Sequence, residues 1–499
     1  MEIETAHTHD VYDGHSARGI EAIGGGIEAI GGGPASKLAF IAAPAQTPRR
    51  LLFIAYQFAP SMEMGARACA QIARYLPLYG WSPVVLTAHE NDIEERYRGS
   101  ANEIDELGLA GAVVKTRTLP HPFDFYRWLR AVLWRKRQNN VGPNGAGTTA
   151  GPDTPLGQKG WLRRSILSAL SFPDKHNGWI LPAIVAGLKA ARKSKAQQIF
   201  SSGPYWTNHL VGLALSYLTG LPWIAHFRDP WIVGAGELPI PPLAYRLNEW
   251  LERLVATRAT SIVLVTEQHA AALRLAFPHL PPDKFAAVPN GYDGGEWDEL
   301  PMNVQRDEKS KEKLLILYTG TFYIGRDPQP LFRALKSLID SGEITGEQVQ
   351  VDLIGWCETS VGRPVKEMIA EHGLSDCVNI LGPRSRPETL RRMTQADLLL
   401  LLGEGLVMQI PGKTYEYLRA GRPILALTPE GALADLLRRT AGGWVVNQND
   451  AAGILAAVRE IFQQWKKGRI ASVADPAAVE AFDRRALAGR FAGLFDRLS

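Results

Sequence analysis

From about residue 50 to its end, the chain repeats one pattern: a short run of consecutive apolar residues, a loop with a helix breaker, then an amphipathic stretch. The first run, RLLFIAY at residues 50–56, has the length and the lack of alternation of a strand buried on both faces. The loop QFAPSMEMGAR follows, then a helix to residue 76, then WSPVVLTA at 81–88 as a second strand. Strand, loop, helix, strand is one βαβ unit, which implies a parallel sheet. The alternation resumes with QQIFSS (197–202), a helix to 218, PWIAHF (222–227), a helix near 245–259, SIVLVT (261–266), another helix, and FAAVPNG (285–291). A second α/β series has strands LLILYTG (314–320), VQVDLIG (349–355), CVNILG (377–382), ADLLLLL (396–402), PILAL (423–427) and GWVV (443–446). A last helix from about residue 477 puts Leu487, Phe491, Leu494 and Leu498 on one face.

Three stretches break the pattern. Residues 1–48 hold IEAIGGG twice in tandem, too little for a solenoid and rich in flexible glycine triplets, and they read as a disordered tail. No strand precedes these glycines, so a dinucleotide fingerprint is excluded. Residues 127–172 carry RWLRAVLWRKR and KGWLRRSILSALSF around a breaker-rich loop. This basic-aromatic insertion fits either an anionic membrane interface or an amphipathic hairpin with a solvated basic face. Residues 296–313 are charged and breaker-rich, as an interdomain linker is. The plan is therefore a tail (1–48), a Rossmann-like domain (49–298), a second Rossmann-like domain (299–475) and a terminal helix (476–499).

A length of 499 residues exceeds what one core holds, and 45% hydrophobic with 21% charged residues fits a soluble globular protein. The net charge of +4 does not demand a nucleic-acid partner. The three cysteines, Cys69, Cys357 and Cys377, are too scattered for a disulfide framework or a paired-cysteine zinc site, and they suit a reducing cytoplasm. The chain starts without a basic-then-apolar leader and contains no run of about 18 apolar residues. Contact with a membrane is expected to be peripheral.

Open α/β sheets bind ligands beyond the carboxyl ends of their strands, so the loops there are where reacting groups belong. In GTFYIGRDP (320–328), Gly320 lets backbone amides approach a phosphate that Arg326 neutralises; a tight turn with a surface arginine reads the same. In IPGKTYEYLRAGRPILAL (410–427), Pro411 starts a helix with Gly412, Lys413 and Glu416 in its first turns. Glu416 is placed to accept the hydroxyls of a ribose, or is a surface residue favoured by the helix dipole. GKT imitates a P-loop, but Val407 stands where that motif needs a glycine. In PWIAHFRDPW (222–231), His226, Arg228 and Asp229 are expected just beyond a strand, where His226 would bind a sugar hydroxyl or move a proton. The other reading is a structural pair of Asp229 with Arg228 or His226. In APSMEMGAR (59–67), Gly65 opens a helix and either offers amides to a phosphate or acceptor, or only turns the chain.

Together these blocks, in the order FAPSMEMGARACAQIARYLPLYGWSPVVLTA, GLPWIAHFRDPW, VPNGYD and PGKTYEYLRAGRPILAL, resemble glycosyltransferase family 4 of the GT-B superfamily, from about residue 50 onward. The likeness is greatest to the bacterial branch that builds cell-envelope polysaccharides. It implies two Rossmann-like domains facing a cleft, with the last helix crossing back to the first domain. It implies a retaining transfer of sugar from a nucleoside-diphosphate donor to a saccharide or lipid-linked acceptor, with no cofactor and no metal. His226, Arg326 and Lys413 would be catalytic. Gly65, Gly320, Thr321, Arg326, Gly412, Lys413 and Glu416 would bind the donor. Arg228, Asp229, Asn290 and Glu404 would support them, with Asn290 and Gly291 near the hinge. Two positions depart from the family: Met408 stands where a glutamate often precedes Glu416, with Glu404 the nearest acid, and Thr321 stands where an arginine often follows the glycine. The other readings are a scaffold of the same fold without turnover and a related sugar-nucleotide epimerase. The enzyme is expected in the cytoplasm, peripheral to the inner membrane face.

Overall fold

The structure, a computed structural model, describes residues 48–100, 102–120, 172–236, 238, 240–300, 312–322, 325–403, 405, 407–468, 470 and 474–498. Residues 1–47 of the tail, nearly all of the basic-aromatic insertion, Glu404 and residues 301–311 of the expected linker lie outside these.

The apolar runs form the strands of two parallel sheets. In the first domain β1 (Arg49–Ile54), β2 (Trp81–Ala88), β3 (Val113–Thr116), β4 (Gln198–Gly203), β5 (Trp223–Phe227), β6 (Ser261–Leu264) and β7 (Phe285–Ala287) lie in the order β3-β2-β1-β4-β5-β6-β7. In the second, β8 (Leu314–Thr319) and β9 (Val349–Ile354) are followed by a small hairpin of β10 (Thr359–Ser360) and β11 (Arg363–Pro364), then β12 (Val378–Gly382), β13 (Leu398–Leu402), β14 (Ile424–Leu427) and β15 (Gly443–Val446). That sheet runs β12-β9-β8-β13-β14-β15. Both orders reverse direction after their first strand, between β1 and β4 and between β8 and β13. These are the switch points where doubly wound sheets open a crevice.

The continuous apolar runs follow from burial on both faces. Along β1, Leu51 and Phe53 join one core while Leu52 and Ile54 join the other. Along β13, Leu398, Leu400 and Leu402 face one layer, and Leu399 and Leu401 the opposite one.

The helices that position the site are α1 (Met64–Tyr75), α2 (Glu103–Glu106), α3 (Ile180–Ser194), α4 (Thr207–Thr219), α5 (Pro242–Arg258), α6 (Glu267–Ala276) and α7 (Gly294–Asp298) in the first half. The second half adds α8 (Gln329–Asp340), α9 (Val365–Glu371), α10 (Arg386–Gln395), α11 (Gly412–Ala420), α12 (Ala432–Arg439), α13 (Ala451–Lys466), α14 (Pro476–Glu480) and α15 (Arg484–Asp496).

Two expectations are corrected. The terminal helix is two helices, because Asp483 caps a new start by accepting from the Arg485 amide at 2.8 Å. Val479 of α14 stays in the second domain's core, and the crossing happens at the break, where Tyr292 and Phe482 join main chain to main chain. Beyond it, Leu487, Phe491, Leu494 and Phe495 pack with Leu51, Phe53 and Phe200 of the first domain. The start of the expected linker is also ordered: Glu296 belongs to α7, which Asp293 caps. Among the described residues no helix is long and apolar enough to cross a membrane.

Candidate active site

At the carboxyl end of β8 the chain is drawn tight by two glycines with left-handed backbone, Gly320 (φ 122°) and Gly355 (φ 115°). The place a side chain at Gly355 would take is filled by the Gly320 carbonyl. A Cβ at Gly320 would lie 2.7 Å from the Lys413 Nζ. Lys413, the second residue of α11, donates to the Thr319 carbonyl at 2.5 Å and sits 3.9 Å above the Tyr318 ring. Burial, and then the charge of Arg326 beside it, push its pKa well below the usual lysine range. Arg326 is itself buried, and Thr321 is exposed at the same turn with its carbonyl accepting from the Tyr318 hydroxyl. Lys413 against Gly320, with Arg326 near enough to act on its charge, brings two basic side chains to a switch point, where an anion would meet both.

The start of α11 faces the start of α1 across the cleft, since a Cβ at Gly412 would touch the Met64 methyl at 3.6 Å. At Gly65 a Cβ would fall 2.8 Å from a guanidinium nitrogen of Arg228 and 2.6 Å from the Gln57 Oε1. A side chain at Gly65 would displace that guanidinium, which donates to the Pro204 carbonyl at 2.6 Å.

One turn into α11, Glu416 is buried rather than on the surface. Its Oε1 accepts from the Arg386 Nη2 at 2.6 Å. Arg386 also grips Glu296 with its Nε (3.1 Å) and Nη2 (2.7 Å), and Glu296 pairs with Arg67 of α1 at 3.1 Å. This chain of alternating charge runs from the first domain to Glu416. The sequence reading missed Arg67, Glu296 and Arg386, because their charges meet only through the fold.

His226 is not beyond a strand but the fourth residue of β5. Its ring stacks on Phe200, meets Phe491 of the crossing helix edge-on, and pairs through Nδ1 with the Ser202 hydroxyl at 3.1 Å. Burial, with the Arg228 charge second, pushes its pKa well below the usual histidine range, so the ring is neutral at pH 7. Its Nε2 is buried and finds no partner among the described residues. Asp229 pairs with neither Arg228 nor His226 by a hydrogen bond: it accepts from the Gln409 amide at 2.9 Å, across the cleft. Burial raises its pKa, against the pull of Arg228 and Gln409. Asn290 is half-buried in the loop after β7, and a Cβ at the adjoining Gly291 would collide with the Phe482 carbonyl at the crossing.

Met408 closes the seam between the domains. Its carbonyl accepts from the Thr266 hydroxyl at 2.6 Å, and its sulfur lies where a side chain at Gly234 would be. Gln268 adds a bond of 2.8 Å to Asp435. The position that often carries a glutamate in the family is here part of a domain contact.

Comparisons with known proteins agree with this architecture. The profile described as a glycosyl transferase 4-like domain matches residues 147–291, and that of glycosyl transferases group 1 matches residues 302–472. A curated relative, the amylovoran biosynthesis glycosyltransferase AmsK of Erwinia amylovora, is 27% identical over 103 residues, which are 20% of this chain and 25% of that protein. The chain thus matches only about a quarter of that relative's length. Among solved structures, sucrose-phosphate synthase from Thermosynechococcus elongatus superposes with a TM-score of 0.59 at 15% identity, covering 90% of this chain and 99% of that one. Anabaena HepE, in complex with UDP and glucose, gives 0.57 at 14% identity over 90% and 100%. A glycosyltransferase from Rickettsia africae gives 0.56 at 13% over 91% and 99%. At these identities the structural likeness speaks for the fold.

Proposed function

This chain belongs to the family 4-like, GT-B glycosyltransferases, and we propose that it moves a sugar from a nucleoside-diphosphate donor to a saccharide or lipid-linked acceptor, with retention of anomeric configuration. The observation that carries the reading is the pairing of Lys413 with Arg326 over Gly320, one helical turn from Glu416. A diphosphate brought to that corner adds an anion beside Arg326 and Lys413, and its arrival favours the charged form of Lys413 that burial opposes. As the bond to the sugar breaks, negative charge grows on the leaving phosphate, and cations already in place stabilise it without reorganising. This role needs no metal ion. Thr321 and the amide of Gly412 complete the phosphate contacts, and the free oxygen of Glu416 accepts from the ribose.

Neutral His226 offers its Nε2 to a hydroxyl of the sugar or acceptor, and Gly65 with Arg228 forms the facing wall. Arg228, Asp229, Asn290 and Glu404 act in support. The acceptor lies on the first-domain side, at the cytoplasmic face of a membrane that the basic-aromatic insertion touches, and the product enters a cell-envelope polysaccharide; the partial likeness to an amylovoran biosynthesis enzyme supports that setting. The test is transfer from radiolabelled UDP-, GDP- and ADP-sugars to a bacterial lipid extract, with product configuration read by NMR. A labelled product with the donor's anomeric configuration is expected, and an inverted one overturns the mechanism.

A further inference from the structure

Arg386 occupies the first residue of α10, where the helix dipole disfavours a cation. Local sequence therefore gives no reason for an arginine there, and a broken local rule calls for a reason elsewhere in the fold. The fold supplies it: the Arg386 Nη2 is shared between Glu416 Oε1 (2.6 Å) and Glu296 Oε2 (2.7 Å), and its Nε holds the same Glu296 oxygen at 3.1 Å. We propose that Arg386 is the positioning residue of the donor site: it fixes one oxygen of Glu416 so that the other faces the ribose, and Glu296 and Arg67 tie that orientation to the first domain. The proposal rests on the reading that Glu416 binds the ribose.

Glu296 and Glu416 share one guanidinium nitrogen, so without Arg386 two carboxylates would repel across the site and Glu416 would turn away. With it, Glu416 loses the rotamer freedom that binding would otherwise have to remove. A lysine would keep the charge but not the planar fork that grips two carboxylates at once. Among the described residues the second oxygen of Glu416 has no protein partner, which leaves it to the ligand. Arg67, on α1 of the first domain, reaches the remaining oxygen of Glu296. The ribose site therefore senses where the first domain stands.

The test compares ribo- with 2′-deoxyribonucleoside diphosphates (UDP, GDP and ADP against their deoxy forms) by calorimetry on the full chain. The readout is the ratio of the two affinities. A general loss of structure weakens both nucleotides and leaves the ratio alone, whereas a misplaced Glu416 removes it. Wild type is expected to prefer the ribonucleotide roughly 10- to 100-fold, the worth of a hydrogen bond to a charged group. Glu416→Ala and Arg386→Gln should each bring the ratio to about one, Arg386→Lys should restore part of it, and Glu296→Gln should lower it by releasing the other anchor. If Glu416→Ala abolishes the preference while Arg386→Gln and Glu296→Gln keep it, the positioning role is overturned and the ribose assignment stands. If Glu416→Ala keeps the preference, or wild type has none, the ribose assignment itself falls.

Discussion

Glu252 gives the sharpest quantitative prediction, because among the described residues no cation pairs with its buried carboxylate. It is 1% exposed on α5 and accepts from the amides of Ile232 (3.2 Å) and Val233 (3.1 Å). These amides lie between Asp229 and Gly234, so Glu252 holds the loop that meets Gln409 and Met408. Burial, opposed by those two amides, pushes its pKa from 4.5 up to about 7. Below pH 4.5 both folded and unfolded chains hold this proton, and the group contributes nothing to the pH dependence. Between 4.5 and 7 the unfolded chain releases the proton while the folded chain keeps it, so stability falls as pH rises. Above 7 both are ionised and the loss is complete. Each pH unit in that window is worth about 1.4 kcal/mol, giving on the order of 3 kcal/mol. Glu252→Gln keeps an oxygen to accept from the amides and carries no charge. Its denaturation midpoint should match wild type near pH 4 and exceed it increasingly up to pH 8, by up to about 3 kcal/mol. Chemical denaturation of both proteins across that range is the assay. A difference that does not change with pH, or a variant less stable at pH 8, would refute the reasoning.

The remaining predictions concern the cleft. Replacing Arg326 and Lys413 together by alanine should lower sugar transfer at least about a hundredfold, since each removes a charged contact to phosphate; unchanged turnover in a steady-state assay would contradict the anion seat. Gly320→Ala puts a methyl group 2.7 Å from the Lys413 Nζ at a φ of 122°. It should weaken nucleoside-diphosphate binding while the circular dichroism spectrum stays that of the wild type. Gly234→Ala, at a φ of 84° and against the Met408 sulfur, should destabilise the domain seam, and Met408→Ala should relieve part of that loss. A double-mutant cycle with no coupling between the two would show that the contact contributes nothing.

Strands were legible in the sequence because each is buried on both faces and reads as a continuous apolar run: residues 81–88 and 443–446 coincide with β2 and β15. The helices were harder. The apolar face of Leu487, Phe491, Leu494 and Leu498 lies wholly beyond the break between α14 and α15, which depends on the carboxylate of Asp483 and on main-chain bonds to Tyr292 far away in sequence. Charge misled around residue 296, where acidic residues suggested a solvated linker and the fold instead supplies Arg67 and Arg386 as partners. Within the site, Gly320, Lys413 and Arg326 come together as their place at strand ends suggested. What residue patterns could not give is long-range pairing: Asp229 with Gln409, Thr266 with the Met408 carbonyl, and Arg386 with Glu416. Met408 looked like a missing glutamate; in three dimensions it is a contact with Gly234.

The central claim is that the second domain holds a nucleoside diphosphate between the Gly320 turn and Glu416. Titrating the full chain with UDP, GDP, ADP and CMP, beside its Glu416→Ala variant, tests it most directly. The account predicts that one of the diphosphates binds and that its binding is lost or sharply weakened in the variant. Failure of all four to bind a folded wild-type protein would contradict it, and would turn the cleft from a donor site into a scaffold.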